Sequence, residues 1–354
     1  MFQEMVLSPR TVMFSSEQIF WECRTLSACE DFPNGYCGSK LDRLPPKPLI
    51  RSLIATSARL LDQTISWRTW TKLVMEYSRC LLTYQSDRLI AIAGMAQAAH
   101  RAVDSDYLAG LWKRHLPAGL LWYVAPNEVK RGGADLQYVA PSWSWASAAG
   151  PVNWFDHSDT QITPLIEVVS AHVDLVGDNP FGQVRGGKLV LKACLARAEW
   201  DPLSGNRSVC IDTGNSTVSH LDISLLFDVD SPDSFDANAI PVVYVLPVHR
   251  YYIRSFGADS CMTRDKTGVF CGLILEPTSN AGEYRRYGYF ETSSPGFVEE
   301  ICLGCEQLFV GVENRGSKDE TSHHGLIDQY SVRRQKRCKA AKMEGFPPII
   351  ISII

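Results

Sequence analysis

Residues 241–253 read Pro-Val-Val-Tyr-Val-Leu-Pro-Val-His-Arg-Tyr-Tyr-Ile, and residues 268–275 read Gly-Val-Phe-Cys-Gly-Leu-Ile-Leu. β-Branched and aromatic side chains dominate both runs, which is the composition of strands. Outward from this pair lie further strand candidates at Leu165–Leu175, Lys188–Trp200, Val209–Asp212, Asp222–Val229, Tyr284–Glu291 and Leu308–Val312. Turn residues separate them: Gly177-Asp178-Asn179-Pro180, Gly205-Asn206, Gly214-Asn215, Ser231-Pro232-Asp233 and Ser279-Asn280-Ala281-Gly282. Many short strands with turns between them predict an antiparallel sandwich or barrel. No alternation of strand and helix is present, so a Rossmann-type parallel sheet is not expected.

The first half carries a different period. Leu49, Ile50, Leu53, Ile54, Leu60 and Leu61 recur at helical spacing over residues 50–62. A second helix is predicted from Trp67 to Leu82 with Ser66 as its cap, and Trp70, Leu73, Val74, Tyr77 and Leu81 on one face. A third runs from Asp87 to Arg101, capped by Ser86, with Asp87 placed to meet the positive end of the helix dipole. A fourth spans residues 106–121, interrupted near Pro117. Residues 129–137 read as a surface loop. Pro141-Ser142-Trp143-Ser144-Trp145-Ala146-Ser147 then alternates small and aromatic residues, which predicts a strand with both tryptophans on one face. The expected fold class is therefore α+β: an N-terminal helical layer followed by a mainly antiparallel β-rich domain, sandwich or barrel-like. The domain reading is residues 1–40, a helical region at 45–125, a β-rich domain at 135–312, and a basic, poorly ordered tail at 313–354.

The chain has 354 residues, 45% hydrophobic and 21% charged, with a net charge of −4. This composition excludes a mainly disordered chain, and the charge excludes a global basic field for nucleic acid. The tail's Arg333, Arg334, Lys336, Arg337, Lys339 and Lys342 lack interleaved aromatics for base stacking and read as a solvated charge run. No stretch reaches the roughly 18 apolar residues of a membrane helix. The N-terminus has neither a basic n-region nor a long apolar core, so no secretory signal is expected. With 11 scattered cysteines and no such signal, reduced thiols and a cytoplasmic location are expected.

Chemistry-bearing motifs are sparse. Cys302-Leu303-Gly304-Cys305 has the C-x-x-C spacing but neither a second ligand pair nor a thioredoxin-like context. Cys23, Cys29 and Cys37 fit no compact zinc knuckle. Ser144 and Ser147 lack the G-x-S-x-G elbow, and His100, His115, His157, His172, His220 and His249 stand singly, while His323-His324 lie in the polar tail. Gly132-Gly133 and Gly186-Gly187 are isolated pairs, with no phosphate-cradling loop around them. No catalytic residue, cofactor or metal is expected. Trp67, Trp70 and Tyr77, and then Trp143, Trp145 and Trp154, read as a packed aromatic core between helices and sheet. Three functions stay open on the residues alone: a non-enzymatic protein-contact module, a β domain binding a small ligand on the Trp143/Trp145 face, and an enzyme using Cys302 or Cys305.

One ordered series of motifs narrows this choice. Phe2-Gln3-Glu4 with Leu7-Ser8-Pro9-Arg10, followed by Gln18 to Trp21-Glu22-Cys23, resembles the closing segment of the fungal heterokaryon-incompatibility (HET) domain. Trp70, Tyr77, then Asp87-Arg88-Leu89 and Gly94 are similar to the helical region that follows that domain. Tyr107 to Gly110-Leu111-Trp112, then Leu120-Leu121-Trp122, then Pro141-Ser142-Trp143-Ser144-Trp145-Ala146-Ser147 match the family's next motifs. Gly272-Leu273-Ile274-Leu275 and Tyr284-Arg285-Arg286-Tyr287-Gly288 resemble its late ones. The likeness runs in order from residue 2 to about residue 310.

The resemblance implies a part in nonself recognition and the cell-death reaction that follows fusion of unlike individuals. In that family the toxic activity is attributed to the HET domain, of which residues 1–40 match only the end. The chain is thus expected to be a non-enzymatic accessory or regulatory region acting through protein partners, with a truncated fragment lacking independent function as the alternative. The motif residues themselves read as structural. Glu22 and Arg10 are expected to ion-pair, Gly94 and Gly110 to permit close packing, and Trp143 and Trp145 to plug the seam between helices and sheet. Val6, Val12, Phe14, Ile19 and Phe20 are expected to form an exposed apolar patch.

Overall fold

The computed structural model describes residues 2–23, 25–35, 47, 50, 53, 63–80, 82–125, 138–148, 150–155, 162–200, 208–211, 219–222, 224–228, 242–256, 262–293 and 349–354. It is α+β, with a mainly antiparallel large sheet. A short helix α1 (Phe2–Leu7) leads into a three-stranded antiparallel sheet of β1 (Arg10–Phe14), β2 (Ile19–Cys23) and β3 (Ser27–Cys29). Helices α2 (Gln63–Ser78) and α3 (Ile90–Val103) follow. Both start away from their predicted positions. Ser66 lies inside α2 instead of capping it, and Ser86 and Asp87 belong to a 3-10 turn, Gln85–Asp87, ahead of α3. Asp87 therefore does not sit in the first turn of α3, whose N-cap is Leu89. The predicted helix over 50–62 lies mostly outside the described residues, although Ile50 and Leu53 are helical and buried.

Two further expectations are corrected. Residues 106–121 form no single helix. Tyr107–Leu108 (β4) and Leu111–Trp112 (β5) make a hairpin, followed by a 3-10 turn at Lys113–His115 and the one-turn helix α4 (Leu116–Gly119). The hairpin arises because Ala109 and Gly110 both take positive φ, 46° and 99°, which ends any helix there and matches the twist of a two-residue hairpin loop. Pro141–Ser147 forms no strand either. Ser144 N–H donates to Pro141 O, and the Ser144 hydroxyl caps the 3-10 turn Trp145–Ser147 by accepting from Ala146 N–H at 3.0 Å. The period-two spacing thus comes from a turn and a cap. β6 (Tyr123–Val124) and β7 (Val152–Asn153) pair beside it.

The large sheet contains β8 (Ile162–Pro164), β9 (Glu167–Leu175), β10 (Val184–Ala193), β11 (Ala196–Trp200), β12 (Ser208–Ile211), β13 (Ser219–Asp222), β14 (Ser224–Phe227), β15 (Val242–Phe256), β16 (Met262–Pro277), β17 (Glu283–Thr292) and β18 (Ile349–Ile353). The predicted strand Lys188–Trp200 is two strands split at Cys194-Leu195. Those at 241–253, 268–275 and 284–291 are present and longer or slightly offset, whereas 308–312 lies outside the described residues. The turns at 177–180 and 279–282 join β9 to β10 and β16 to β17 as expected.

The main path runs β13-β12-β11-β15-β16-β17-β18-β10-β9. It cannot be flat. β10 and β11 are joined by two residues yet stand five strand spacings apart, about 24 Å at about 4.8 Å each. The step from Ala193 to Ala196 reaches only about 11 Å. The sheet therefore curls until β10 and β11 meet, a barrel-like closure in which β18 is the final stave. This corrects the reading of 313–354 as a tail: its last residues are a strand, with Ile351 and Ile353 at 1% and 0% exposure. One continuous hydrophobic cluster runs from Val6 through the helices and the 141–154 segment to Ile353.

Candidate functional site

Motif residues converge at the seam between helices and sheet. The Gly110 carbonyl accepts two indole N–H groups, from Trp145 at 2.9 Å and Trp70 at 3.2 Å. A Cβ at Gly110 would overlap the Trp145 indole, so only glycine fits both the space and the positive φ. Trp145 packs edge-on against Tyr77, with ring centroids 6.0 Å apart, and the Arg88 guanidinium lies 5.4 Å from its ring centre. Arg88 is buried and donates to Ala148 O and to Gly150 O at 3.0 Å. Desolvation holds its pKa down to about 10. Tyr77 donates to Arg88 O at 2.7 Å, so motif residues from α2, the turn before α3, the 107–112 hairpin and the Trp145 turn form one knot.

A second knot lies on the sheet side. Arg286 on β17 holds Asp228 through Nε at 2.7 Å and Nη2 at 3.2 Å, and donates to Leu120 O and Trp122 O. Its guanidinium stacks 3.4 Å from the Trp122 ring centre. Burial raises the Asp228 carboxyl pKa and lowers that of Arg286, while their attraction opposes both shifts. Trp122 Nε1 donates to Trp143 O at 3.1 Å. Trp143 itself lies over Gly187 of β10, so Trp143 and Trp145 face different partners rather than one common face. Both are 0% exposed. The ligand-binding reading of that face therefore loses its site.

The other motif residues serve packing. Gly94 N–H donates to Gln3 Oε1 at 2.7 Å, and a Cβ there would strike the same amide, so Gly94 admits α1 against α3. Gly272 lies against Leu246 O on β15, Gly288 pairs with Ile274 and Phe227, and Tyr284 packs edge-on to Tyr244 at 5.2 Å. Trp112 is fully buried against Trp70 and Tyr107. Ser8 closes α1 by bonding Glu4 O, Leu7 packs on the core, and Pro9 and Arg10 are exposed.

The three-stranded sheet differs from all of this, because one of its faces is open. The register pairs Arg10 with Cys23, Val12 with Trp21 and Phe14 with Ile19, so these six side chains share a face. Val12 is 47%, Phe14 79% and Ile19 39% exposed, while Trp21 and Cys23 are half-buried and Ala28, paired with Trp21, is buried. Val6, expected in this patch, is instead fully buried in the main core, and Phe20 turns to the opposite face.

That opposite face carries Thr11 and Glu22. Because Arg10 and Glu22 point to opposite faces, their expected ion pair does not form. Glu22 instead meets Lys47, a residue that sequence pattern left unmarked. Lys47 Nζ donates to Thr11 Oγ1 and to Glu22 O at 3.2 Å. Burial raises the Glu22 pKa and lowers that of Lys47, partly offset by their mutual attraction. On the same face as Val12, hydrogen bonds from Thr25, the Leu26 backbone N–H and the Trp21 side chain bring the Cys23 thiol down to about 7.

Asp228 and Glu291 also escaped sequence reasoning. Glu291 accepts from Tyr251 at 2.7 Å and Tyr289 at 3.0 Å, a grouping made by strand register alone. Among the described residues no cluster of three metal-ligating side chains exists, and no helix is long and apolar enough to cross a membrane. Cys37, Cys302 and Cys305 lie outside the described residues. No protein-family model, curated protein or solved structure matches the chain.

Proposed function

We propose that this chain is the accessory, regulatory region of a fungal heterokaryon-incompatibility protein. It acts in the cytoplasm through protein contacts in nonself recognition and brings no chemistry of its own. The observation that carries this reading is the open apolar face of the β1–β3 sheet. Val12, Phe14 and Ile19 project from paired strands onto one surface, and clustered apolar side chains held at high exposure mark sites of protein contact. The resemblance of the motif series supports the family. Arg88, Gly94, Gly110, Trp145 and Arg286 are scattered over nearly 200 residues of sequence, yet each makes a long-range contact that packs the chain, as structural family markers would.

The test is a fusion-cell viability assay in a filamentous fungus. The chain and a Val12→Glu/Phe14→Glu variant are expressed in strains of unlike type, and dying fusion cells are counted. The wild-type chain is expected to change the dying fraction, and the variant to lose that effect while keeping the same melting temperature. Equal effects of both chains would remove the patch from the reading. No effect of either would leave a fragment without independent function.

A further inference from the structure

We infer that the slot between β10 and β17 is a strand-acceptor site, and that β18 of a second copy of this chain fills it in a strand-exchanged dimer.

Four observations lead there. First, among the described residues β18 alone links β10 to β17: it pairs antiparallel with β10 over Leu189–Ala193 and parallel with β17 at Glu283 and Tyr284. Removing it opens the curled sheet along a line of unpaired backbone groups, which must be satisfied again. Second, the slot is selective. Ile351 and Ile353 enter the core opposite Leu191 and Leu189, while Ile349 and Ile350 stay outside at 42% and 60% exposure. Ser352 N–H donates to Gly282 O at 2.9 Å, Ile354 N–H donates to Tyr284 O at 3.1 Å, and Ile354 O accepts from Ser142 N–H at 3.1 Å. Third, the strand is held unevenly, by five register pairs on β10 and two on β17, so it detaches most readily along the β17 side.

Fourth, β17 ends at Thr292 and β18 begins at Ile349. The 56 residues between them set an upper limit of roughly 180 Å on the connection at about 3.3 Å per residue, so chain length does not confine β18 to the slot of its own molecule. A second copy supplies the segment in identical form. Every inward isoleucine and every hook to Gly282, Tyr284 and Ser142 is remade without designing a new interface, which is why exchange of an identical element is a low-cost route to a dimer. An unrelated apolar peptide would have to reproduce both the alternation and the Ile354 contacts.

Lys192 and Ile350 are direct cross-strand partners, and both reach solvent. Cysteines at such a pair fall within disulfide range. The full chain is prepared as Lys192→Cys, Ile350→Cys and the double variant. The single variants are mixed, incubated at increasing concentration, diluted, oxidised and run on a non-reducing gel. The expected result is a covalent dimer above the background of Lys192→Cys mixed with wild-type chain, rising with concentration, while the double variant at low concentration closes within one chain. If the double variant closes within one chain and the mixed singles never cross-link above background, the inference is overturned. If the double variant forms no disulfide either, the register itself fails and the inference fails with it.

Discussion

The seam and the N-terminal sheet spend their motif residues in opposite ways. At the seam, Arg88, Arg286, Ser144, Trp70, Trp122 and Trp145 turn their polar atoms to partners inside the chain, chiefly backbone carbonyls. In the β1–β3 sheet one face is covered by Lys47, which donates to Thr11 and to the Glu22 backbone carbonyl, and the other presents Val12, Phe14 and Ile19 to solvent. A buried guanidinium that carries its own partners fixes geometry and has nothing left to offer a ligand. Apolar side chains held at high exposure add little to folding, and under the proposed function they are the ones that serve an external contact. The division of labour thus follows from where each side chain finds its partner.

Asp228 offers the largest way to break this comparison. Asp228→Ala strands the buried Arg286 charge, and about 3–5 kcal/mol of unfolding free energy should be lost. Asp228→Leu/Arg286→Met, which removes both charges, should recover much of it. Urea unfolding of the three chains measures the difference, and a single-variant loss below about 1 kcal/mol would mean that the pair does not anchor the seam. Next in size is Gly110→Ala, which forces a side chain onto the Trp145 indole at a positive φ. About 1–3 kcal/mol should be lost, with a change in tryptophan fluorescence.

A smaller effect comes from His115. Its ring lies tilted against Trp67, centroids 5.4 Å apart, with both ring nitrogens buried and unbonded, and burial, with Arg114 nearby, lowers its pKa to about 4. The folded-state value lies below the unfolded value of 6.5, so the unfolded chain binds the proton first as pH falls. Its stabilising contribution is complete above about pH 6.5 and is lost as pH drops toward 4. The change should be about 1–2 kcal/mol, less than the full shift implies, because the ring is only partly buried. His115→Gln should flatten this limb of the stability profile, and an unchanged slope would assign the limb to other groups.

How much of this was legible depended on how local the cause was. β15, β16 and β17 announce themselves by β-branched and aromatic runs, and α2 by the spacing of Trp70, Leu73, Val74 and Tyr77. The 107–112 hairpin was hidden because Ala109, an ordinary helix former, takes a positive φ beside Gly110. The Trp143/Trp145 alternation imitates a strand because a serine-capped turn also separates large side chains by two. β18 read as a tail because all its partners lie at least 60 residues away in sequence. Lys47, Asp228 and Glu291 became part of the picture only through contacts that no spacing rule contains. The open face was legible residue by residue at Val12, Phe14 and Ile19, but not at Val6, whose helix turns it inward.

Phe14→Glu sharpens the comparison by doing almost nothing to the fold. Phe14 is 79% exposed, and its replacement removes few internal contacts, so stability should stay within about 0.5 kcal/mol of wild type. Leu191→Glu, on the inner face of β10 opposite Ile351, places the same charge in the fully buried core and should prevent folding or cost several kcal/mol, about 3 or more. The two variants carry the same new side chain, so the contrast isolates the environment. Function should run the other way. Phe14→Glu puts a carboxylate on the most exposed side chain of the apolar face, where any partner burying it must desolvate an unpaired charge, so partner-dependent activity should fall while the melting curve is unmoved. If Phe14→Glu destabilises the chain as much as Leu191→Glu does, the face is part of the core and not a surface for a partner.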